Sequence, residues 1–255
     1  TARYKASLVK GERFVDLTGG AGIDCAALAK QFESGICAEQ DEVTASLLAH
    51  NLPLIVHNDI KVVRSKAEDF LLSLERVDLV YIDPQRRNNV RKGIWRLEDC
   101  SPNILDLLPL LREKADKILI KTSPMLDIDK TITALGSVTA VHCVEMTGEC
   151  KEVLYMLDAR SSARPDDIPI TAVDLDRGGN IKSTLTFSRT EERRNTSLYV
   201  KPETYIFEPG PAFLKSGCFQ TIAVKFGLKK LHPHTHLYTS DTVPENFPGK
   251  VFEFL

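Results

Sequence analysis

Three carboxylates stand where apolar runs end: Asp16 after Phe14-Val15, Glu39 after Ile36-Cys37-Ala38, and Asp83 after Leu79-Val80-Tyr81-Ile82. Acids placed so belong at the carboxyl edge of an open α/β sheet, where such sheets bind ligands. Asp16 leads into Leu17-Thr18-Gly19-Gly20-Ala21-Gly22-Ile23-Asp24, a stretch whose glycines let a ligand approach the backbone before the next helix begins. A carboxylate beside the loop would repel a pyrophosphate. A dinucleotide fingerprint would also need a third glycine at position 25, where Cys25 stands. An ammonium and a sulfonium suit this corner better, which points to S-adenosylmethionine. Glu39, beside Gln40 and about 20 residues on, is placed to accept hydrogen bonds from ribose hydroxyls.

Asp83-Pro84 ends the fourth apolar run, and proline stops the strand there. A carboxylate at that corner can accept a hydrogen bond from a nucleophile. Arg86, Arg87, Arg91, Lys92 and Arg96 follow with no acid among residues 85–96, around the sole tryptophan, Trp95. Phosphate contact with base stacking would require such a loop, although a charge run is also what an ordinary solvated segment carries. His232, His234 and His236 alternate, but Pro233 interrupts them and no other ligand has matching spacing, so no metal is expected. Cys100 and Cys218 lack the Pro-Cys setting of a cytosine C5 nucleophile and read as small buried hydrophobes.

The elements that must hold these residues follow from the apolar patterning. Residues 13–17, 35–39, 61–65, 78–82 and 117–121 read as strands, and 23–30, 43–51 and 103–113 as helices between them. That alternation predicts a parallel sheet covered by helices. Residues 139–146 and 152–157, joined through Thr147-Gly148-Glu149, read as a hairpin. The polar stretch 160–169 carries two prolines and reads as a linker. Beyond it, 170–175 and 181–187 flank an Arg177-Gly178-Gly179-Asn180 turn. Strands are then expected at 198–200, 205–207, 237–239 and 251–254, and a single helix over 211–226, stopped by Gly227.

Composition bounds the rest. Of 255 residues, 43% are hydrophobic and 27% charged, as in a globular chain with a full core, and the formal charge is −2. A protein that coats nucleic acid by bulk charge is excluded, so any such contact must be local. Six scattered cysteines without a C-x-x-C pair fit a reducing compartment, and the chain reads as cytoplasmic. No apolar run is long enough for a membrane span. Thr1 in place of Met suggests that residues upstream are missing.

Asp16-Leu-Thr-Gly-Gly-Ala-Gly22, Glu39 and Asp83-Pro84, in this order, resemble class I S-adenosylmethionine-dependent methyltransferases. Asp83-Pro84-Gln85-Arg86-Arg87, Asp99-Cys100-Ser101-Pro102 and Lys121-Thr122-Ser123-Pro124-Met125-Leu126-Asp127-Ile128 resemble, more narrowly, a bacterial group of methyltransferases with a C-terminal THUMP-like domain. Its counterpart here runs from Tyr205-Ile206-Phe207-Glu208-Pro209 through Leu231-His232-Pro233-His234-Thr235-His236-Leu237-Tyr238-Thr239-Ser240-Asp241. The resemblance implies a Rossmann-like methyltransferase domain over 1–158, a small β-rich subdomain over 159–204, ferredoxin-like as one reading, and a THUMP-like domain over 205–255. It implies cofactor binding by Asp16, Thr18, Gly19, Gly20, Gly22, Asp24, Glu39, Gln40, Glu68 and Asp83. Asp83 and Pro84 would carry catalysis, and Arg86, Arg87, Arg91, Trp95, Lys121 and Ser123 would hold the substrate, expected to be RNA. Two departures stand out: Thr18 replaces the first glycine of the D-x-G-x-G-x-G pattern, and Lys66 replaces the acid that contacts adenine, leaving Glu68 or Asp69. A methyltransferase acting on a protein or small molecule, and a non-catalytic RNA-binding protein, are the alternatives. An NAD-linked oxidoreductase is the weakest reading.

Overall fold

The computed structural model of the chain describes residues 1–86, 96–158 and 160–255, with the backbone alone at Arg86. They divide into two units, residues 1–139 with 154–162 and residues 140–153 with 163–255.

The first unit runs α1 (Ala2–Ser7), β1 (Gly11–Asp16), α2 (Ile23–Leu28), β2 (Phe32–Glu39), α3 (Glu42–Ile55), β3 (Asp59–Arg64), α4 (Ala67–Ser73) and β4 (Val77–Ile82). It continues with the short strands β5 (Gln85–Arg86) and β6 (Cys100–Ser101), then α5 (Ile104–Lys114), β7 (Ala115–Thr122) and α6 (Ile128–Leu135). β7, β4, β1, β2 and β3 lie side by side in that order, and each neighbouring pair is parallel. Succession therefore runs outward from β1 in one direction and from β4 in the other. The crevice this reversal opens lies at the carboxyl ends of β1 and β4, where Asp16 and Asp83 stand.

β4 is buried along its length except at Asp78, as a parallel strand covered on both faces must be. Asp78 instead accepts the backbone N–H groups of Glu12 and Arg13 at 2.7 and 2.8 Å, which pins the start of β1. Glycine is required at Gly35, because a Cβ there would meet the Phe14 ring at 2.3 Å. Asp41, Asn103 and Asp127 cap α3, α5 and α6 by accepting backbone N–H groups of Thr44, Leu105 and Lys130. α3 runs past Pro53 to Ile55, beyond the end expected near residue 51. α1, α4 and α6 were not anticipated; all three are short, although α6 buries Ile128, Thr131, Ile132 and Leu135 on one face.

β8 (Val138–Met146) and β9 (Glu149–Asp158) form the expected hairpin, whose turn places Thr147 and Gly148 at φ of 57° and 77°. In the second unit, β8 pairs in parallel with β10 (Ile170–Leu175), which pairs antiparallel with β11 (Ile181–Phe187). That pairing draws residues 140–153 into the second unit, so the division passes through the hairpin rather than falling after Asp158. After α7 (Arg189–Arg194) come β12 (Tyr205–Pro209), α8 (Pro211–Ser216), α9 (Phe219–Phe226), β13 (Lys229–Lys230), β14 (Tyr238–Ser240) and β15 (Gly249–Glu253). These strands make a second, antiparallel sheet in the order β13-β14-β12-β15.

The single helix expected over 211–226 is two helices. Gly217 adopts the left-handed conformation, with φ of 79°, and ends α8 before Cys218 starts α9. The strand expected at 198–200 is reduced to an isolated bridge between Tyr199 and Lys230. The Rossmann-like α/β sheet and the smaller C-terminal β-rich sheet are otherwise as the sequence implies. Among the described residues no helix is long and apolar enough to cross a membrane.

Candidate cofactor and substrate site

The loop after β1 is built by hydrogen bonds that tie it to two neighbouring strands. Leu17 N–H donates to the Tyr81 carbonyl on β4 at 3.0 Å, and Gly19 N–H to the Ala38 carbonyl on β2 at 2.8 Å. Asp16 Oδ1 accepts the Thr18 N–H at 2.9 Å, and Thr18 Oγ1 accepts the Asp83 N–H at 2.8 Å. Thr18, the departure from the glycine pattern, thus links the ends of β1 and β4. Gly19 leaves no room for a side chain, since a Cβ would meet Cys37 Sγ at 2.7 Å and Leu48 Cδ2 at 2.8 Å. Gly22, at φ of 81°, starts α2.

Glu39 is clamped. Its Oε2 accepts the Gly20 N–H and its Oε1 the Asp41 N–H, both at 2.8 Å, which fixes the carboxylate while leaving acceptor capacity on each oxygen. Ser65 N–H donates to the Glu39 carbonyl at 3.0 Å and brings the end of β3 alongside. A cavity of about 560 Å³ opens here, between the loop, the end of β2 and the β5–β6 pair. Thr18, Gly20, Glu39, Gln40, Glu68 and Asp83 line it, as the sequence leads one to expect. Gln85, Ser101 and Pro102 line it too, because β5 and β6 pair Gln85 with Ser101. Leu17, Asp41, Thr44, Ser65 and Ala67 also line it and were not foreseen from the sequence. The signal for Asp41 was its place as a helix cap immediately after Glu39.

The remaining predicted residues stand elsewhere. Asp16 lies behind the loop, 1% exposed, and its Oδ2 has no hydrogen-bond partner among the described residues. Burial, with the nearby charges of Asp24 and Asp83, pushes its carboxyl up to about 7 despite the Thr18 N–H. Asp24 accepts the Tyr81 hydroxyl at 2.7 Å and pairs with the buried Lys5 ammonium at 3.0 Å, so both its oxygens are engaged by protein groups. Burial and the surrounding acids hold the Tyr81 phenol above its ordinary range. Lys121 forms an ion pair with Asp83 at the end of β7. Pro84 is half-buried beside Asp83, and Ser123 Oγ accepts the Met125 N–H at 3.3 Å. Arg86 is described by its backbone alone, in β5; Arg87, Arg91, Lys92 and Trp95 lie outside the described residues.

One set of potential metal ligands converges among the described residues: Asp16 with Cys25 and Cys37, all buried. His232, His234 and His236 form no such group, and the His236 ring instead stacks on Phe219 with centroids 3.8 Å apart. Cys218 is buried, its thiol pushed up to about 12 by desolvation, which removes the nucleophilic thiolate.

The donor set fits a cofactor with a ribose diol and a positive end. Glu39 offers fixed acceptor oxygens, Gly20 bares its backbone at φ of 51°, and Asp16 keeps one buried oxygen without a partner.

The chain is similar to several known proteins. Residues 205–248 match a family described as a ferredoxin-like domain, and residues 3–99 match one described as conserved hypothetical protein 95. A candidate methyltransferase from Porphyromonas gingivalis W83 superposes with a TM-score of 0.90 at 34% sequence identity, covering 99% of this chain. The chain spans 63% of the length of that structure. M. capricolum TrmK, solved with S-adenosyl-homocysteine, superposes with a TM-score of 0.49 at 11% identity, over 64% of this chain and 70% of that one. No curated protein matches the chain.

Proposed function

We propose that the chain is the catalytic part of an S-adenosylmethionine-dependent methyltransferase whose substrate is RNA. The observation that carries the reading is the single cavity bordered by clamped Glu39 and by Asp83, with the partnerless Asp16 oxygen behind its glycine loop. The likeness to the Porphyromonas gingivalis candidate methyltransferase supports it.

S-adenosylmethionine supplies a methyl group on a sulfonium, open to in-line displacement. Around it, Glu39 orients the ribose, and Asp16 is the acid that balances the ammonium. Asp83, held by Lys121, accepts a hydrogen bond from the nucleophile. Pro84, Ser101 and Pro102 shape a wall that keeps water from the reacting atoms. The β5 backbone leads from this corner into the basic segment with Arg86, Arg87, Arg91, Lys92 and Trp95, which would hold phosphates and stack a base. Residues 205–255 act as a THUMP-like RNA-binding domain in this reading. Six scattered cysteines without a C-x-x-C pair support a reducing, cytoplasmic setting.

Calorimetry with S-adenosylhomocysteine and NAD tests the cofactor; binding of NAD in preference would overturn it. Replacing Arg86, Arg87, Arg91 and Lys92 together by Ala tests the substrate. RNA affinity should fall and its logarithmic salt slope flatten by up to about 3, at roughly 0.7 per phosphate contact on a single strand. An unchanged slope with S-adenosylhomocysteine binding intact would remove RNA and keep the methyltransferase.

A further inference from the structure

A second cavity of about 550 Å³ takes its walls from the second unit alone, at the ends of β8 and β10, the end of β12 and the start of α8. Leu175, Pro211 and Leu214 make part of the wall apolar. Two pairs of charges on it answer each other: Lys182 with Asp174 at 2.6 Å, and Lys250 with Glu208 at 3.4 Å.

Glu145 is different. It is 4% exposed and lines the cavity, yet it forms no ion pair with any described residue. Its Oε2 accepts the Ala212 N–H at 2.6 Å; its Oε1 accepts no hydrogen bond among the described residues. Gly210 admits the carboxylate, because a Cβ there would lie 2.6 Å from Oε2 and 2.8 Å from Oε1. Accepting one N–H at the start of α8 needs only a hydroxyl or amide oxygen, as helix caps generally show. A carboxylate buried this far costs desolvation unless a positive group answers it. Burial also holds its carboxyl above the ordinary value. Arg177, also on the wall, is exposed, and Lys182, whose charge does act on Glu145, makes its ion pair with Asp174 instead, so neither is a direct partner for this anion.

We infer that this cavity binds a small organic cation, a primary amine or guanidine on a short apolar chain, with its charged head on Glu145 Oε1 and its chain along Pro211 and Leu214. The inference stands independently of the methyltransferase reading, since it uses no residue of the cofactor cavity.

Calorimetry on the full chain with n-butylamine, n-butylguanidine, n-butanol and butyrate tests it. The two cations should bind and the alcohol and acid should not. Glu145→Gln keeps an acceptor for the Ala212 N–H and loses the charge, so cation affinity should fall at least tenfold. Leu214→Trp, which fills the apolar wall, should reduce it likewise, and decides the matter if Glu145→Gln fails to fold. Absence of cation binding to the wild-type chain, equal binding by butanol, or unchanged affinity in the folded variants would each overturn the inference. S-adenosylhomocysteine binding should be the same in every variant, which separates this site from the cofactor cavity.

Discussion

The two cavities are nearly equal in volume, about 560 and 550 Å³, and both are rich in carboxylates, yet they hold their charges in opposite ways. In the first, Glu39 is fixed by two backbone N–H groups and Asp16 is buried behind a loop that is itself tied to β2 and β4. In the second, lysines with 60% and 74% exposed side chains answer Asp174 and Glu208 from the rim. Backbone donors cost no side-chain entropy to aim, whereas a lysine must give up rotamer freedom in water that screens it. Volume therefore does not tell a built site from a charged hollow; the means of holding the carboxylate does. Glu145, through Ala212 N–H, and Asp176, through Asn180 N–H, are the acids of the second cavity held in the manner of the first, and of these two Glu145 is the buried one.

Asp16 offers the largest test of this contrast. Its carboxyl is raised from 3.8 to about 7, chiefly by burial, so the protonated form stabilises the fold. That contribution is fully present below pH 3.8 and is lost as pH rises through about 7. Three pKa steps correspond to at most about 4 kcal/mol. Urea unfolding between pH 5 and 8 should show this loss in the wild-type chain and a flatter profile in Asp16→Asn. An ammonium in the cofactor site reverses the preference, so S-adenosylhomocysteine affinity should rise with pH up to about 7, by at most roughly tenfold per unit. A pH-independent affinity would separate Asp16 from the cofactor.

Asp83 comes next. Asp83→Ala should slow methyl transfer by about 10²–10³-fold while S-adenosylhomocysteine affinity changes much less, the mark of a group acting on the chemical step. Lys121→Met should do the same through loss of the ion pair that positions Asp83. Equal loss of melting temperature and cofactor affinity would instead make Asp83-Pro84 a structural turn.

These sites were unequally legible in the sequence. The order of the parallel strands and the three carboxylates at their ends could be read because buried parallel strands are continuous apolar runs, and the acid that breaks each run marks its carboxyl end. Glu39 and Asp83, which line the first cavity, were read in this way. Asp24 was misleading: its place two residues after Gly22 suggested a ligand contact, but Lys5 and Tyr81, distant in sequence, take up its carboxylate. Gln85, Ser101 and Pro102 escaped because a two-residue strand pair has no periodicity to detect. Gly217 was read as helical because the apolar face continues beyond it, although its φ of 79° breaks the helix. Glu145 had no local signal, since its burial is produced by Gly210 and Ala212, more than sixty residues on.

Glu39→Ala sharpens the comparison at smaller scale. Removing a carboxylate that clamps Gly20 and Asp41 and, in the proposed reading, orients ribose should cost about 1.5–3 kcal/mol of S-adenosylhomocysteine binding, roughly tenfold or more in affinity. Glu39→Gln keeps one acceptor oxygen for the clamp and should fall between. If Gln restores wild-type affinity, hydrogen-bond acceptance matters and charge does not.

The smallest expected effect is at the rim of the second cavity, where Lys182→Gln should change stability by less than about 1 kcal/mol, as exposed ion pairs generally do. Asp174 beneath it is 9% exposed, and its attraction holds the lysine's ammonium above the ordinary value. Removing the cation leaves that carboxylate short of one donor but within reach of water, because the lysine side chain that covers it is itself 60% exposed. Chemical denaturation in low and high salt measures the difference, which should shrink as salt screens the pair. A loss of several kcal/mol insensitive to salt would mean that the rim pair is as rigidly built as the Glu39 clamp, and the contrast between the two cavities would fail.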